Sequence, residues 1–220
     1  MSISKKIKSF TTAAIFAAVM LAGCSEDEPE NKKGVFTDSR DGQQYAWVEI
    51  GSQVWMAGNL NYAGAESNLG TCYDGEPGNC ATYGRLYNWL TVMSGTSGSS
   101  ANPSGVRGIC PEGWHVPSDA EWAALSDFAV ENVAGRKLKA TSGWNGGNGT
   151  DDFGFSALPG GRRQTGEDYW GIGEHGEWWS ATEQGTESAW FWEMSSNRGQ
   201  VYRFTEFRDR GEKSLRCVRD

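Results

Sequence analysis

The order of helical and strand-like patterns along the sequence predicts an α+β fold with two main helices, short antiparallel strands and many irregular loops. A hairpin pattern comes first, two helical patterns occupy the middle, and several short strand-like runs follow. Thirty glycines among 220 residues indicate many turns and little long helix. Eleven tryptophans are therefore expected to supply much of the buried apolar surface.

Turn-forming dipeptides predict the first strands. Asp41-Gly42 is a hairpin-turn signal. Gly51-Ser52 is a two-residue turn with glycine first, as a type II′ hairpin requires, and it separates the strand-like segments 45–50 and 53–56. We therefore expect an antiparallel hairpin near the start of the globular region.

Two amphipathic segments predict the helices. In the first, apolar side chains recur at helical spacing at Tyr83, Leu86, Tyr87, Leu90 and Met93. The second is expected to begin at Ser118, because Ser118 and Glu121 have the spacing of a capping box, in which each side chain satisfies a backbone N–H. Its apolar face comprises Trp122, Leu125, Phe128 and Ala129. Gly135 is its expected end.

Short strands are predicted in the last third of the chain, after a loop-rich region that starts at residue 143. They cover segments 178–182, 190–194, 201–204 and 214–219. Four tryptophans in these strands are assigned to the core, namely Trp178, Trp179, Trp190 and Trp192.

The first 23 residues have the pattern of an export signal. Three lysines precede an apolar run, 11–20, that is too short to remain as a membrane-spanning helix. The run ends in Leu-Ala-Gly-Cys, which resembles the bacterial lipobox and implies cleavage before Cys24 and attachment of fatty acyl chains such as palmitate to Cys24. The alternative is an ordinary secretory signal that happens to precede a cysteine.

An acidic, flexible tether is predicted over residues 24–34, ahead of a globular domain that comprises 35–220. Its Glu26-Asp27-Glu28 run resembles the acidic sequence that follows the lipidated cysteine in surface-exported lipoproteins. The sequence therefore predicts an outer-membrane lipoprotein displayed at the cell surface and held to the membrane by its N-terminal lipid. A merely solvated linker is the alternative interpretation of the tether.

The charge of the mature chain argues against nucleic acid as a partner. Removal of the signal deletes three lysines and no acidic residue, so the formal net charge changes from −8 to −11. A strongly acidic surface repels phosphate backbones.

Four cysteines remain once Cys24 is assigned to lipid, and an exported chain with paired cysteines predicts disulfides. Three pairings are possible. Turn formers between Cys72 and Cys80 favour a bridge between these two, which leaves Cys110 with Cys217. Zinc is the rival interpretation, but the chain has no Cys-x-x-Cys and only two histidines.

Several segments, in order along the chain, resemble the Fibrobacter succinogenes major paralogous domain. They are 54–57, 59–60, 81–89, 110–118, 155–161, 178–182 and 215–220. The resemblance implies an exported, lipid-anchored bacterial protein, and the family has no established catalytic activity.

A more distant similarity concerns residues 113–122 and the ending 215–218, which resemble formylglycine-generating enzymes. This similarity implies a C-type lectin-like, or sulfatase-modifying-factor-like, architecture. That architecture includes a long disulfide from before a helix to the last strand, which supports the pairing of Cys110 with Cys217.

The sequence predicts no enzyme, although the similarity to formylglycine-generating enzymes leaves an oxidoreductase as an alternative. Those enzymes need a reactive, copper-binding cysteine pair, and here each remaining cysteine has a structural use. His115 alternates with Trp114 and Val116 and is expected to be packed, while His175 is expected in an exposed loop. No Ser/His/Asp arrangement or carboxylate pair has a spacing that supports catalysis.

A ligand-binding function is the remaining prediction. Trp144, Tyr169 and Trp170 lie among loop-forming residues, where exposed rings could bind a glycan or a protein ligand. Asp151 and Asp152 offer oxygen ligands for calcium, the one cofactor that the sequence suggests. The alternatives are rings that cover the edge of the core, plain turns, and a purely structural protein of the cell envelope.

Overall fold

The computed structural model describes residues 31–220, with the exception of Ser67, Thr165 and Glu167. Its mixture of short helices and mostly antiparallel strands confirms the α+β class. The predicted signal, Met1–Gly23, and the predicted lipidation site, Cys24, lie outside the described residues.

The first sheet brings together strands from both ends of the described chain. Its strands are β1 (Lys33–Thr37), β2 (Gln44–Ile50), β3 (Gln53–Met56), β4 (Trp114–His115) and β10 (Val218–Arg219). Their spatial order is β1-β2-β3-β10-β4, and all pairs are antiparallel. The last strand therefore lies between the N-terminal hairpin and β4.

The second sheet is formed within residues 160–207. Its strands are β5 (Gly160–Arg163), β6 (Tyr169–Ile172), β7 (His175–Gln184), β8 (Ser188–Ser195) and β9 (Tyr202–Phe207). The order is β6-β5-β7-β8-β9, and the pairing of β5 with β7 is parallel. The predicted strands at 178–182 and 190–194 are confirmed within β7 and β8, and the one at 201–204 is confirmed except that β9 begins one residue later, at Tyr202.

The N-terminal hairpins form where their turn residues predict. Ile50 pairs with Gln53 across the Gly51-Ser52 turn, and Gly51 has a φ of +61°. The predicted domain start at Val35 is too late, because β1 begins at Lys33 and the side-chain amide of Asn31 donates to the Phe153 carbonyl at 3.3 Å.

Helices are short, and the predicted helix over 83–93 is confirmed only at its end, residues 89–93. The structure has α1 (Pro77–Tyr83), α2 (Trp89–Met93), α3 (Asp119–Phe128) and α4 (Ala134–Leu138). Gly84 breaks the segment with a φ of +76°, at a place where a Cβ would lie 2.8 Å from the Leu60 carbonyl oxygen. Leu86 and Tyr87 instead form bridges to Thr71 and Lys213.

The capping box of α3 is confirmed. The Ser118 hydroxyl accepts from the Glu121 N–H at 3.2 Å, and the Glu121 carboxylate accepts from the Ser118 N–H at 2.9 Å. The helix ends at Phe128, earlier than the predicted end at Gly135. Gly135 lies within α4, where a Cβ would collide with the Gln200 carbonyl, so close packing explains this glycine.

The core consists of two apolar clusters rich in tryptophan. In one, Trp122 lies 5.9 Å from Trp178 and 4.7 Å from Trp55, measured between ring centroids. Trp179 belongs to the other, together with the Cys110–Cys217 disulfide. Trp178, Trp179 and Trp192 are buried as predicted.

Trp190 departs from the core assignment, because it is only half-buried. The Arg203 guanidinium covers its ring at 3.6 Å from the centroid. The Trp190 ring is therefore covered by the cation of Arg203, where the core assignment predicted apolar side chains.

Both predicted disulfides are present. Cys72 is bonded to Cys80 across eight residues, and Cys110 is bonded to Cys217 across 107 residues. The long bridge joins the segment before α3 to the residue that precedes β10. The predicted strand over 214–219 is shorter than expected, since only Val218 and Arg219 form it.

Replacing Cys110 and Cys217 together by alanine is expected to lower the free energy of unfolding by about 4–5 kcal/mol, because the bridge closes a loop of more than one hundred residues. The matched control replaces Cys72 and Cys80, whose short loop predicts a loss of about 2–3 kcal/mol. Urea denaturation of the two variants measures both losses. Equal losses would contradict loop closure as the main source of stability.

Candidate functional site

His115 is packed inside the structure, as predicted, and contacts two carboxylates. Its Nε2 lies 2.7 Å from Glu121 Oε1, and its Nδ1 lies 2.6 Å from Asp220 Oδ1. Both nitrogens can donate only when the ring is protonated. Burial lowers the pKa of His115, but the hydrogen bonds and charges of Glu121 and Asp220 outweigh it and raise the pKa above its ordinary value.

His175 is not in an exposed loop, so that prediction is wrong. It is the first residue of β7, and its side chain is largely covered. Its ring lies 4.3 Å from the Trp170 ring, and Nδ1 lies 3.4 Å from Glu193 Oε1. His175 and Glu177 lie on one face of this strand, because alternate residues of a strand point the same way. The glycines and glutamates around His175 are more typical of a loop, so the sequence did not predict the strand.

Glu177 is fully buried and paired with two cations. Arg162 Nη1 lies 3.2 Å from Oε1, and Lys213 Nζ lies 2.8 Å from Oε2. The neighbouring strand places Glu193 directly opposite Glu177. Burial, followed by the nearby charge of Glu177, raises the pKa of Glu193.

The ligand atoms of His175, Glu177 and Glu193 lie within 4.8 Å of one another, and no other His, Cys, Asp and Glu cluster of this kind occurs in the described part of the chain. Imidazole nitrogen and carboxylate oxygen are donors that suit zinc and related metals. However, Arg162 and Lys213 already neutralise Glu177, so a divalent ion here would face two positive charges. The contacts favour a buried ion-pair network.

Asp151 and Asp152, the predicted calcium ligands, are engaged in other contacts. Asp151 accepts from the Ser156 N–H at 2.7 Å and from the Ser156 hydroxyl at 2.6 Å. The Asp152 carboxylate lies 3.9 Å from Lys137 Nζ. These contacts are those of a turn, the alternative that the sequence left open, and calcium binding stays an untested prediction.

Trp144 is buried, so its predicted role as an exposed ligand-binding ring is wrong. It is 4% exposed, and its indole N–H donates to the Ala157 carbonyl at 2.9 Å. Lys139 Nζ lies 5.0 Å from the centroid of the Trp144 ring. The ring therefore belongs to the core.

Tyr169 and Trp170 are at the surface, but in strand β6 and on opposite faces of it. They pair with Arg163 and Arg162 of β5, respectively. Successive side chains of a strand point in opposite directions. Trp170, which is 45% exposed, packs between Arg162 and His175 over the ion-pair network. Tyr169 packs on Tyr73, with ring centroids 5.0 Å apart.

Tyr169 lines an open cleft of about 560 Å³. The other residues of its lining are Thr71, Cys72, Asp74, Gly75, Arg85 and Arg163. The Cys72–Cys80 disulfide fixes one wall, because Cys72, Asp74 and Gly75 belong to the short segment that begins at this bridge. A ring, two guanidinium groups and hydroxyl and carboxylate oxygens thus meet at one concave surface.

The two arginines of the cleft differ in their partners. Arg163 Nη1 forms an ion pair with Glu212 Oε1 at 3.0 Å, and Glu212 also accepts from the Thr71 hydroxyl. Arg85 makes no ion pair with any residue in the described ranges and donates through Nη1 to the Gly70 carbonyl at 3.2 Å. Its buried Nε has no hydrogen-bond acceptor there either. The sequence did not indicate Arg85 as a site residue, because the helical spacing of apolar residues over 83–93 placed it within a helix.

A model of the Fibrobacter succinogenes major domain family matches residues 48–219. The chain belongs to this family. No curated protein and no solved structure matches the chain significantly. The family match brings no ligand or activity with it, and it does not extend to formylglycine-generating enzymes. In the part of this Fibrobacter major domain that the structure describes, no helix has the length and apolar character needed to cross a membrane.

Substituting alanine at Trp144 and at Trp170 separates a core ring from a surface ring in this Fibrobacter major domain. Trp144→Ala is expected to lower the free energy of unfolding by about 3–5 kcal/mol, since it leaves a cavity and removes the indole hydrogen bond to the Ala157 carbonyl. Trp170→Ala should cost about 1 kcal/mol or less. Thermal and urea denaturation compare the two, and a stable Trp144 variant would show that the ring is not part of the core.

The His115 contacts predict a stability maximum in weakly acidic solution. The raised pKa of His115 means that its contribution is complete below the unfolded value near 6.5 and is lost as pH rises through the folded value. Glu121 has a lowered pKa, so its contribution is present above about 4.5 and is lost as pH falls through its folded value.

His115→Gln should therefore destabilise the protein most between about pH 4.5 and 6.5, and less in alkaline solution. Denaturation at pH 5.5 and pH 9 measures this difference, and NMR titration of the imidazole gives its folded pKa directly. A folded pKa at or below 6.5 would contradict the argument.

Proposed function

We propose that the chain is a non-catalytic binding module of a surface lipoprotein, and that it holds a glycan in the cleft beside Tyr169. The observation that carries this proposal is the juxtaposition of the Tyr169 ring with Arg85, whose guanidinium donates to the Gly70 carbonyl and makes no ion pair within the described residues. A ligand would supply the acceptors that the protein does not.

The chemistry of the lining favours a sugar over an apolar ligand. Tyr169 offers a ring face on which the C–H face of a sugar can stack. Arg85 presents a planar fork of donors that fits a carboxylate or a pair of hydroxyl groups. Asp74 and Thr71 add oxygen atoms at the same surface. An apolar ligand would leave these polar groups without partners, which is costly.

The described lining of the cleft contains neither a free thiol nor a histidine, which favours binding over catalysis. The four described cysteines are all in disulfides, so none is available as the thiolate that an oxidoreductase of the formylglycine-generating type would need. Both histidines contact carboxylates elsewhere in the fold, and neither lines the cleft. A non-catalytic role agrees with these contacts.

A C-type lectin-like architecture displayed outside the cell is part of the proposal. Its support is the first sheet, which joins strands from both ends of the domain, and the long disulfide from before α3 to the last strand. The lipobox-like Leu-Ala-Gly-Cys sequence and the acidic tether support anchoring at the outer membrane through Cys24. Two disulfides agree with an oxidising compartment.

A glycan array with the purified lipoprotein tests the function, and three variants locate the site. Tyr169→Ala and Arg85→Gln are each expected to weaken binding of the best glycan at least tenfold, equivalent to about 1.4 kcal/mol, because each removes a contact with the ligand. Trp170→Ala is the matched control, since it removes an equally aromatic neighbour from the opposite face of the same strand. Its affinity should be unchanged.

Two outcomes would contradict this reading. Loss of binding in the Trp170 variant with normal binding in the Tyr169 variant would move the site to the other face of β6. If no glycan binds the native protein, the alternative of a purely structural envelope protein is favoured.

A further inference from the structure

Three apolar side chains at the end of α3 are exposed to solvent. Phe128 is 50% exposed, Val130 is 53% exposed and Val133 is 37% exposed. We name these three residues the 128–133 patch. The Phe128 ring also packs on the Phe153 ring, with centroids 5.6 Å apart. Exposed apolar groups gathered in this way are typical of surfaces that contact a partner.

The backbone of the patch adds a second unfavourable feature. Val130 has a φ of +70°, a conformation that β-branched residues rarely adopt. Glycine or asparagine would fit this position better for stability, and a polar residue would fit it better for solubility. An exposed valine in such a conformation costs stability, and costs of this kind are concentrated at functional surfaces.

The described chain begins beside this patch. The Asn31 side chain donates to the Phe153 carbonyl, and Phe153 contacts Phe128. Six residues, 25–30, separate Asn31 from Cys24, so a fully extended connection spans at most about 25 Å. A lipid on Cys24 would therefore keep this side of the domain close to the membrane surface.

We propose that the 128–133 patch docks on the lipid surface to which Cys24 is anchored, and thereby orients the domain on the membrane. The inference rests on the lipid anchor of the proposed function. Phenylalanine and valine enter the boundary between headgroups and acyl chains. The tether makes even a weak contact effective, because it keeps the local concentration of the surface high.

The charges around the patch indicate which lipids it meets. Asp127 and Glu131 lie beside Phe128 and Val130 in sequence, Asp152 precedes Phe153, and Lys137 is the cation over the Phe153 ring, at 5.6 Å. This acidic surrounding disfavours anionic headgroups and favours zwitterionic ones such as phosphatidylcholine. The apolar groups, rather than charge, would then provide the attraction.

NMR of the lipidated, methyl-labelled chain in phosphatidylcholine nanodiscs tests the docking. A fraction of the lipids carries a nitroxide on the headgroup, which broadens the signals of nearby methyl groups. The Val130 and Val133 methyl signals are expected to lose at least twofold more intensity than those of Val35. Val35 is the matched control, because it is 63% exposed and lies closer to the tether along the chain.

Broadening that is equal among these valines, or strongest at Val35, would overturn the docking. The variant with Phe128→Ser and Val133→Thr should lose the preferential broadening of Val130 while its melting temperature stays within a few degrees. Retention of that broadening in the folded variant would also overturn the proposal.

Two further readouts separate the anchor from the docking and from self-association. The mass of the purified chain shows whether Cys24 carries acyl groups. A chain without them overturns the anchor and the docking that rests on it, whereas an acylated chain without preferential broadening overturns the docking alone. Signals of Val130 that shift with protein concentration in nitroxide-free discs would identify a second copy as the occupant instead of lipid.

Discussion

The fold depends on the segment that precedes β10, because its backbone joins the two sheets. Leu215 accepts from the Leu60 N–H at 2.8 Å, and Cys217 accepts from the Met56 N–H at 3.0 Å. On the other side, Lys213 exchanges hydrogen bonds with Tyr87, and Ser214 bridges to Trp178 of β7. The first sheet is therefore complete only when the last residues pair between β3 and β4. The Cys110–Cys217 disulfide makes this long-range arrangement less costly in chain entropy.

Buried cations hold the irregular loops that this arrangement requires. Arg216 is fully buried and donates to Asn59 Oδ1 at 2.9 Å, to the Ser156 carbonyl at 2.9 Å and to the Phe155 carbonyl. Burial lowers its pKa to about 9. Lys139 similarly donates to the carbonyls of Ser195 and Arg198 at 2.9 and 3.1 Å. Carbonyl groups in loops have no neighbouring strand whose N–H groups could donate to them. A cation with several donors can form hydrogen bonds with two or three of these carbonyls at once.

Local patterns and cysteine parity were sufficient for part of the fold, and tertiary contacts decided the rest. The capping box at Ser118 and the Gly51-Ser52 turn depend on residues within a few positions, so the sequence predicts them correctly. Gly84, by contrast, ends a helix because of the Leu60 carbonyl, which no local pattern reveals. Burial of Trp144 depends on a carbonyl 13 residues away. In the candidate site, the sequence predicted Tyr169 but not Arg85, which it placed within a helix. The cluster around His175 depends on how β7 and β8 align, which the sequence does not reveal.

Exposure alone does not distinguish a binding residue from a structural one in β6. Trp170 is the more exposed ring, yet it covers Arg162 and His175, which in turn contact the buried carboxylates Glu177 and Glu193. This packing holds the strand in place without any ligand. Tyr169, on the opposite face, is held over the cleft by its pairing with Arg163 and its contact with Tyr73, and the Cys72–Cys80 bridge fixes the facing wall. A ligand that enters such a cleft orders few side chains, so little of its interaction energy is lost to conformational entropy. The ion pairs beneath Trp170 therefore stabilise β6 from the face that is turned away from the cleft.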